Sequence, residues 1–170
     1  MFNFKKNVLA SVLLMGMAAS AGANAASNAT VLWSGTVPTT TASDEIIITG
    51  LGGDTTALNG TITPSSDGVF ESDAIVLESH ANTGDAAAPV VGNALVNANW
   101  NLVDVSVTFD GVANPKQEVE VSVNGKPFVA GTSVEATTIS TKVKQTVPLP
   151  EAEVGGTTVQ ASVTVMADVA

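Results

Sequence analysis

Val119-Glu120-Val121-Ser122-Val123-Asn124-Gly125-Lys126-Pro127-Phe128-Val129 carries the sharpest structural signal in the chain. Three valines stand two residues apart, with Glu118, Glu120 and Ser122 in the alternate positions. An extended strand sends successive side chains to opposite faces, so this spacing gives one apolar and one polar face. Asn-Gly follows at once, the pair that most readily takes the two positive φ angles of a tight hairpin. The stretch therefore reads as a strand, a two-residue turn and a returning strand.

The same period extends in both directions. Upstream, Val103, Val105, Val107 and Phe109 fall on one face of a strand that stops at Asp110-Gly111. Downstream, Ile139, Thr141, Val143, Gln145 and Val147 form a mixed face before Pro148. After Gly155-Gly156, Val159, Ala161, Val163 and Val165 alternate with Gln160, Ser162 and Thr164 almost to the last residue. Nearer the start, Glu45-Ile46-Ile47-Ile48-Thr49 is a β-branched strand halted by Gly50, Gly52 and Gly53. Ala29, Val31, Trp33, Gly35 and Val37 share one side of a further extended segment that ends at Pro38.

Residues 54–100 are less regular. Leu58 to Thr63 and Ser72 to Glu78 read as short strands around a turn at 64–68, and Thr83 to Gly92 as a loop. No helical period is sustained and no fixed repeat occurs. The chain is expected to be all-β, and several strands with one apolar face each bury those faces most simply as two packed sheets.

The first 25 residues stand apart. A basic start (Lys5, Lys6), a short apolar run from Val8 to Ala19 and small residues at Ala23 and Ala25 have the form of a cleavable export signal, with cleavage expected after Ala25. Residues 26–170 then carry four lysines against sixteen acids, a formal charge of −12. Such a surface repels phosphate backbones, so no nucleic-acid partner is expected. The chain has no cysteine, which leaves packing, backbone pairing or partners to stabilise it.

Catalytic signatures are missing from the sequence. His80, the single histidine, reads as a polar loop residue; one imidazole without thiols does not make the usual zinc set. No Gly-x-Ser-x-Gly elbow is present. Glu118/Glu120 and Glu151/Glu153 read as exposed charge rather than a glycosidase pair. Asp54 and Asp67 lie in turns without the twelve-residue calcium-loop order. Neither Asn28-Ala29-Thr30 nor Asn59-Gly60-Thr61 is more than a minimal glycosylation tripeptide. Trp100 reads as a core anchor, with a sugar-stacking platform as the alternative. No cofactor, metal or enzymatic activity is expected.

The placement of two β-segments at opposite ends of residues 26–170 carries the functional reading. A strand whose backbone groups find no partner in its own fold must find one in another molecule. In this arrangement the chain resembles the major subunits of bacterial chaperone-usher fimbriae, of a cysteine-free kind. The resemblance implies an immunoglobulin-like β-sandwich lacking its last strand and completed by donor-strand exchange. It divides the chain into a signal at 1–25, a donor strand at 26–38 and a pilin-like domain at 39–170. Ala29, Val31, Trp33, Gly35 and Val37 would then be the donor face, and Val159, Ala161, Val163 and Val165 would line the acceptor groove. Implied partners are identical or related pilin subunits, a periplasmic chaperone, an outer-membrane usher and a host-surface receptor; the implied location is a fimbria on the cell surface. The alternative is a closed, secreted β-sandwich that binds carbohydrate or protein.

Overall fold

The computed structural model describes residues 31–32, 45–56, 58–85 and 88–170. In chain order the elements are β1 (Val31–Leu32), β2 (Ile46–Gly50), a 3-10 turn (Leu51–Gly53), β3 (Thr61–Ile62), β4 (Phe70–Glu71), β5 (Ile75–Asn82) and β6 (Val91–Leu95). They continue with β7 (Ala98–Phe109), β8 (Val119–Val123), β9 (Lys126–Pro127), β10 (Ser133–Ala136), β11 (Thr138–Gln145), the single-turn helix α1 (Glu151–Val154) and β12 (Val159–Val169). The protein is almost entirely β.

Two sheets pack face to face. The larger has seven strands, in the order β2-β5-β11-β8-β9, with β4 also pairing with β11 and β6 with β5. The smaller has three, in the order β10-β7-β12. All pairings are antiparallel. The core is filled from both sides: Leu77, Val121, Val123, Ile139 and Val143 from the larger sheet meet Trp100, Val107, Phe109, Val159, Ala161 and Val165 from the smaller.

The hairpin that opens the sequence reading forms as its residues dictate. Asn124 has φ 51° and Gly125 φ 75°, and Val123 pairs with Lys126. Val121 and Val123 turn into the core while Glu118 and Glu120 stay exposed. A Cβ added at Gly125 would meet no atom within 4 Å, so substitution there costs backbone conformation alone. Gly125→Ala should lower stability by about 1 kcal/mol, the usual scale of the left-handed penalty, as a reduced urea midpoint with unchanged slope.

β11 follows its predicted face throughout: Ile139, Thr141, Val143 and Gln145 are buried and the residues between them are half-buried. The glutamine is tolerated because both ends of its amide are bonded. Oε1 accepts the backbone N–H of Glu118 at 2.9 Å, and Nε2 donates to the carbonyl of Val147 at 2.6 Å. Gln145 thus ties the start of β8 to the exit of β11.

β7 departs from the expected pattern. Opposite it on β12, Thr164 pairs with Asp104 but Val165 pairs with Leu102, so Val103 is the extra residue of a β-bulge. A bulge places two residues against one and shifts the phase of everything beyond it. Before it, even positions face the core (Ala98 and Trp100 are buried); after it, odd positions do (Val107 and Phe109). Val103, expected on the apolar face, is 56% exposed as a result.

Three further boundaries move. The strand expected at Ser72 to Glu78 runs later, as β5, and holds His80 in its buried interior instead of a loop. The strand expected over Leu58 to Thr63 is reduced to β3. The loop expected to reach Gly92 gives way to β6 at Val91. At the far side of the larger sheet, β9 is a two-residue strand whose Pro127 pairs with Ser122.

Candidate functional site

The two terminal segments are the natural place to look for an interaction site. β12 pairs with β7 over its whole length and with no second strand among the described residues. β2 likewise pairs with β5 alone among the described residues. The two strands approach each other at the side of the sandwich without a ladder of hydrogen bonds joining them. Val159, Ala161 and Val165 are buried and Val163 is half-buried, all four packed on the core. Val105, its partner across the ladder, and Leu102 and Ile48 are likewise packed on the core and partly covered, as are six other apolar residues around it. Among the described residues, therefore, neither β2 nor β12 has a strand paired along its second side.

Of the expected donor face, Ala29, Trp33, Gly35 and Val37 lie outside the described residues. Val31 lies in β1, whose backbone pairs antiparallel with β3, Val31 opposite Ile62 and Leu32 opposite Thr61. Val31 and the four β12 residues thus belong to separate pairings, although β1 approaches β12.

Trp100 is fully buried, and its indole N–H donates to the carbonyl of Ala136 at 2.9 Å. It is a core anchor that ties β7 to the end of β10, and no face of the ring is left for stacking a sugar. Asp54 and Asp67 are spent on their own turns. The carboxylate of Asp54 accepts the N–H of Thr56 at 2.8 Å, and that of Asp67 accepts the Ser65 hydroxyl and the Val69 N–H. These bonds hold both carboxyls below their usual range, led by the Thr56 backbone for Asp54 and the Ser65 hydroxyl for Asp67.

A polar groove of about 340 Å³ crosses the outer face of the larger sheet. Lys142 and Lys144 of β11 stand in it, paired at 2.6 Å with Glu71 of β4 and Glu120 of β8 respectively. All four side chains are substantially exposed. Water screens pairs of this kind, so they organise the face more than they stabilise it.

One cluster, whose histidine the sequence reading places in a polar loop, lies on the same sheet, under the Leu51–Gly53 turn. Glu78 and His80 are neighbours on one face of β5, and both are buried. Oε2 of Glu78 accepts the backbone N–H groups of Gly52 at 2.8 Å and Gly53 at 3.3 Å and lies 3.1 Å from Nε2 of His80. Nδ1 of His80 lies 2.8 Å from the carbonyl oxygen of Gly92. The available signal was the Glu78-Ser79-His80 spacing, which puts two titratable groups on one strand face, together with Gly52-Gly53. Among the described residues no group of three or more His, Cys, Asp or Glu side chains is arranged to hold a metal ion.

Comparison with family models, with curated proteins and with solved structures returns no match to this chain. The arrangement itself defines the class of protein only as a two-sheet, β-sandwich-like one. The functional reading rests on its own residues.

Proposed function

We propose that this chain is a structural subunit of a surface fimbria or pilus: an exported, immunoglobulin-like β-sandwich that polymerises when the N-terminal segment of one copy, residues 26–38, enters the groove of the next. A periplasmic chaperone would occupy that groove first, and an outer-membrane usher would direct the exchange. The observation that carries the reading is that β12, among the described residues, is paired along one side only. Among the described residues its eleven residues of backbone have a ladder on one side only, and Val163, Val105 and Leu102 on the same sheet are partly covered. An extended segment laid along β12 would satisfy the free backbone groups and cover those side chains. That is the logic of β-strand addition at a sheet edge. Each large apolar side chain so buried contributes on the order of 1.5–3 kcal/mol, enough for several to hold subunits together without a disulfide.

The second reading is a closed secreted sandwich that binds carbohydrate or protein. It is favoured by the pairing of Val31–Leu32 with Thr61–Ile62 of the same chain, which keeps the first strand at home.

Residues 26–170, expressed with and without residues 26–38, separate the two. Under the fimbrial reading the shortened chain unfolds without cooperativity, and a peptide spanning Asn28 to Pro38 restores a sharp transition. The longer chain then assembles in a concentration-dependent way. A shortened chain that is a stable monomer and ignores the peptide overturns the reading.

A further inference from the structure

We propose that Glu78 and His80 form a proton-operated latch that holds the Leu51–Gly53 turn, and with it the end of β2, against the larger sheet while the imidazole carries both of its protons and releases it as pH rises. Both ring nitrogens of His80 face acceptor oxygens, Gly92 O at 2.8 Å and Glu78 Oε2 at 3.1 Å. A carbonyl oxygen and a carboxylate only accept, and a neutral imidazole carries a single N–H. Only the imidazolium can donate to both.

The carboxylate is the hub. It takes the histidine on one side and the Gly52 and Gly53 amides on the other, so the turn is bonded to the sheet through a charge. The ring also lies beneath the turn: a Cβ at Gly53 would come within 4.0 Å of its Cε1. When the imidazolium loses its proton, either the contact to Gly92 is given up or a nitrogen lone pair is turned toward the buried carboxylate. In both cases the support under the turn weakens.

Glu45 at the start of β2, Asp54 after the turn and Asp85 beyond β5 are all acidic, and β6 contributes no charged residue. On β11, Lys142 and Lys144 are engaged by Glu71 and Glu120. Glu78 is itself held below its usual range, first by the hydrogen bond from His80 and then by the two glycine amides, against the opposing effect of burial. Its contribution is therefore fully present above the unfolded carboxylate value and is lost only as pH falls through its lowered folded value. The latch is closed only while the carboxylate is ionised and the ring carries both of its protons.

Hydrogen exchange of the full chain, in whatever assembly state it takes, tests this through a peptide covering residues 50–54, with intrinsic rates corrected for pH. Protection of that segment should fall about tenfold between pH 6 and pH 8.5, on the scale of one charge-assisted hydrogen bond, while segments from β7 and β12 do not change. His80→Gln should remove the pH dependence, and Glu78→Gln should lower protection at every pH. Protection of residues 50–54 that is flat with pH in the unaltered chain overturns the proposal without recourse to any variant. Retention of the original profile in H80Q overturns it equally.

Discussion

Trp100→Ala should lower the unfolding free energy by about 3–5 kcal/mol, the range for deleting a large aromatic side chain from a packed interior. Trp100 has no exposed surface, and it sits in the half of β7 that precedes the bulge, packed on the core shared by the two sheets. Truncation leaves a cavity that the flanking strands cannot close, because their register is fixed by hydrogen bonds on both sides of β7. It also strips the Ala136 carbonyl of its indole partner. Trp100→Phe keeps most of the volume and loses the N–H, and should cost clearly less. Urea denaturation of the two variants separates the packing contribution from the hydrogen bond. A loss below about 1 kcal/mol for the alanine variant would mean that the site collapses freely and that Trp100 does not organise the core.

Gln145→Leu is the second large effect expected, at about 2–3 kcal/mol. The leucine fits the space and is apolar, so a residue-burial argument alone predicts a neutral or stabilising change. The opposite is expected because the amide is committed to two backbone groups, the N–H of Glu118 and the carbonyl of Val147. Removing it leaves both without that partner where they are partly buried, and a buried polar group left unpaired costs about 1–3 kcal/mol. Part of the loss is local: Glu118 should exchange its amide hydrogen faster in the variant before global unfolding sets in. If Gln145→Leu raises the urea midpoint instead, the amide is not tying β8 to the exit of β11.

How far the sequence could be read depends on whether a residue's environment is set locally. The Asn124-Gly125 hairpin and the alternation along β8, β11 and β12 were legible because turn chemistry and the period of two are properties of the segment itself. Val103 was not, since the bulge exists only in the register between β7 and β12, and nothing in Leu102-Val103-Asp104 announces that Val165 will skip a partner. His80 was read as a loop residue because a lone polar side chain among Glu78, Ser79 and Asn82 looks solvated. Its burial depends on partners from the Leu51–Gly53 turn and from Gly92, well separated along the chain. Trp100 was read correctly as a core residue, but its partner Ala136 lies 36 positions away and leaves no trace in the local pattern. That β2 and β12 approach each other without pairing is likewise a relation between distant parts of the chain. The sequence offered the two strands, and only their arrangement shows which sides are left unpaired among the described residues.

Pro127 has a consequence at the opposite flank. It stands on the last, two-residue strand of the larger sheet and has no amide hydrogen to offer a neighbour. A stray chain sidling up to that border finds almost no backbone to grip, so side-by-side accretion, the first step toward fibrous precipitate, is blunted there. This border is a hem, a margin finished so that it does not fray into further strands.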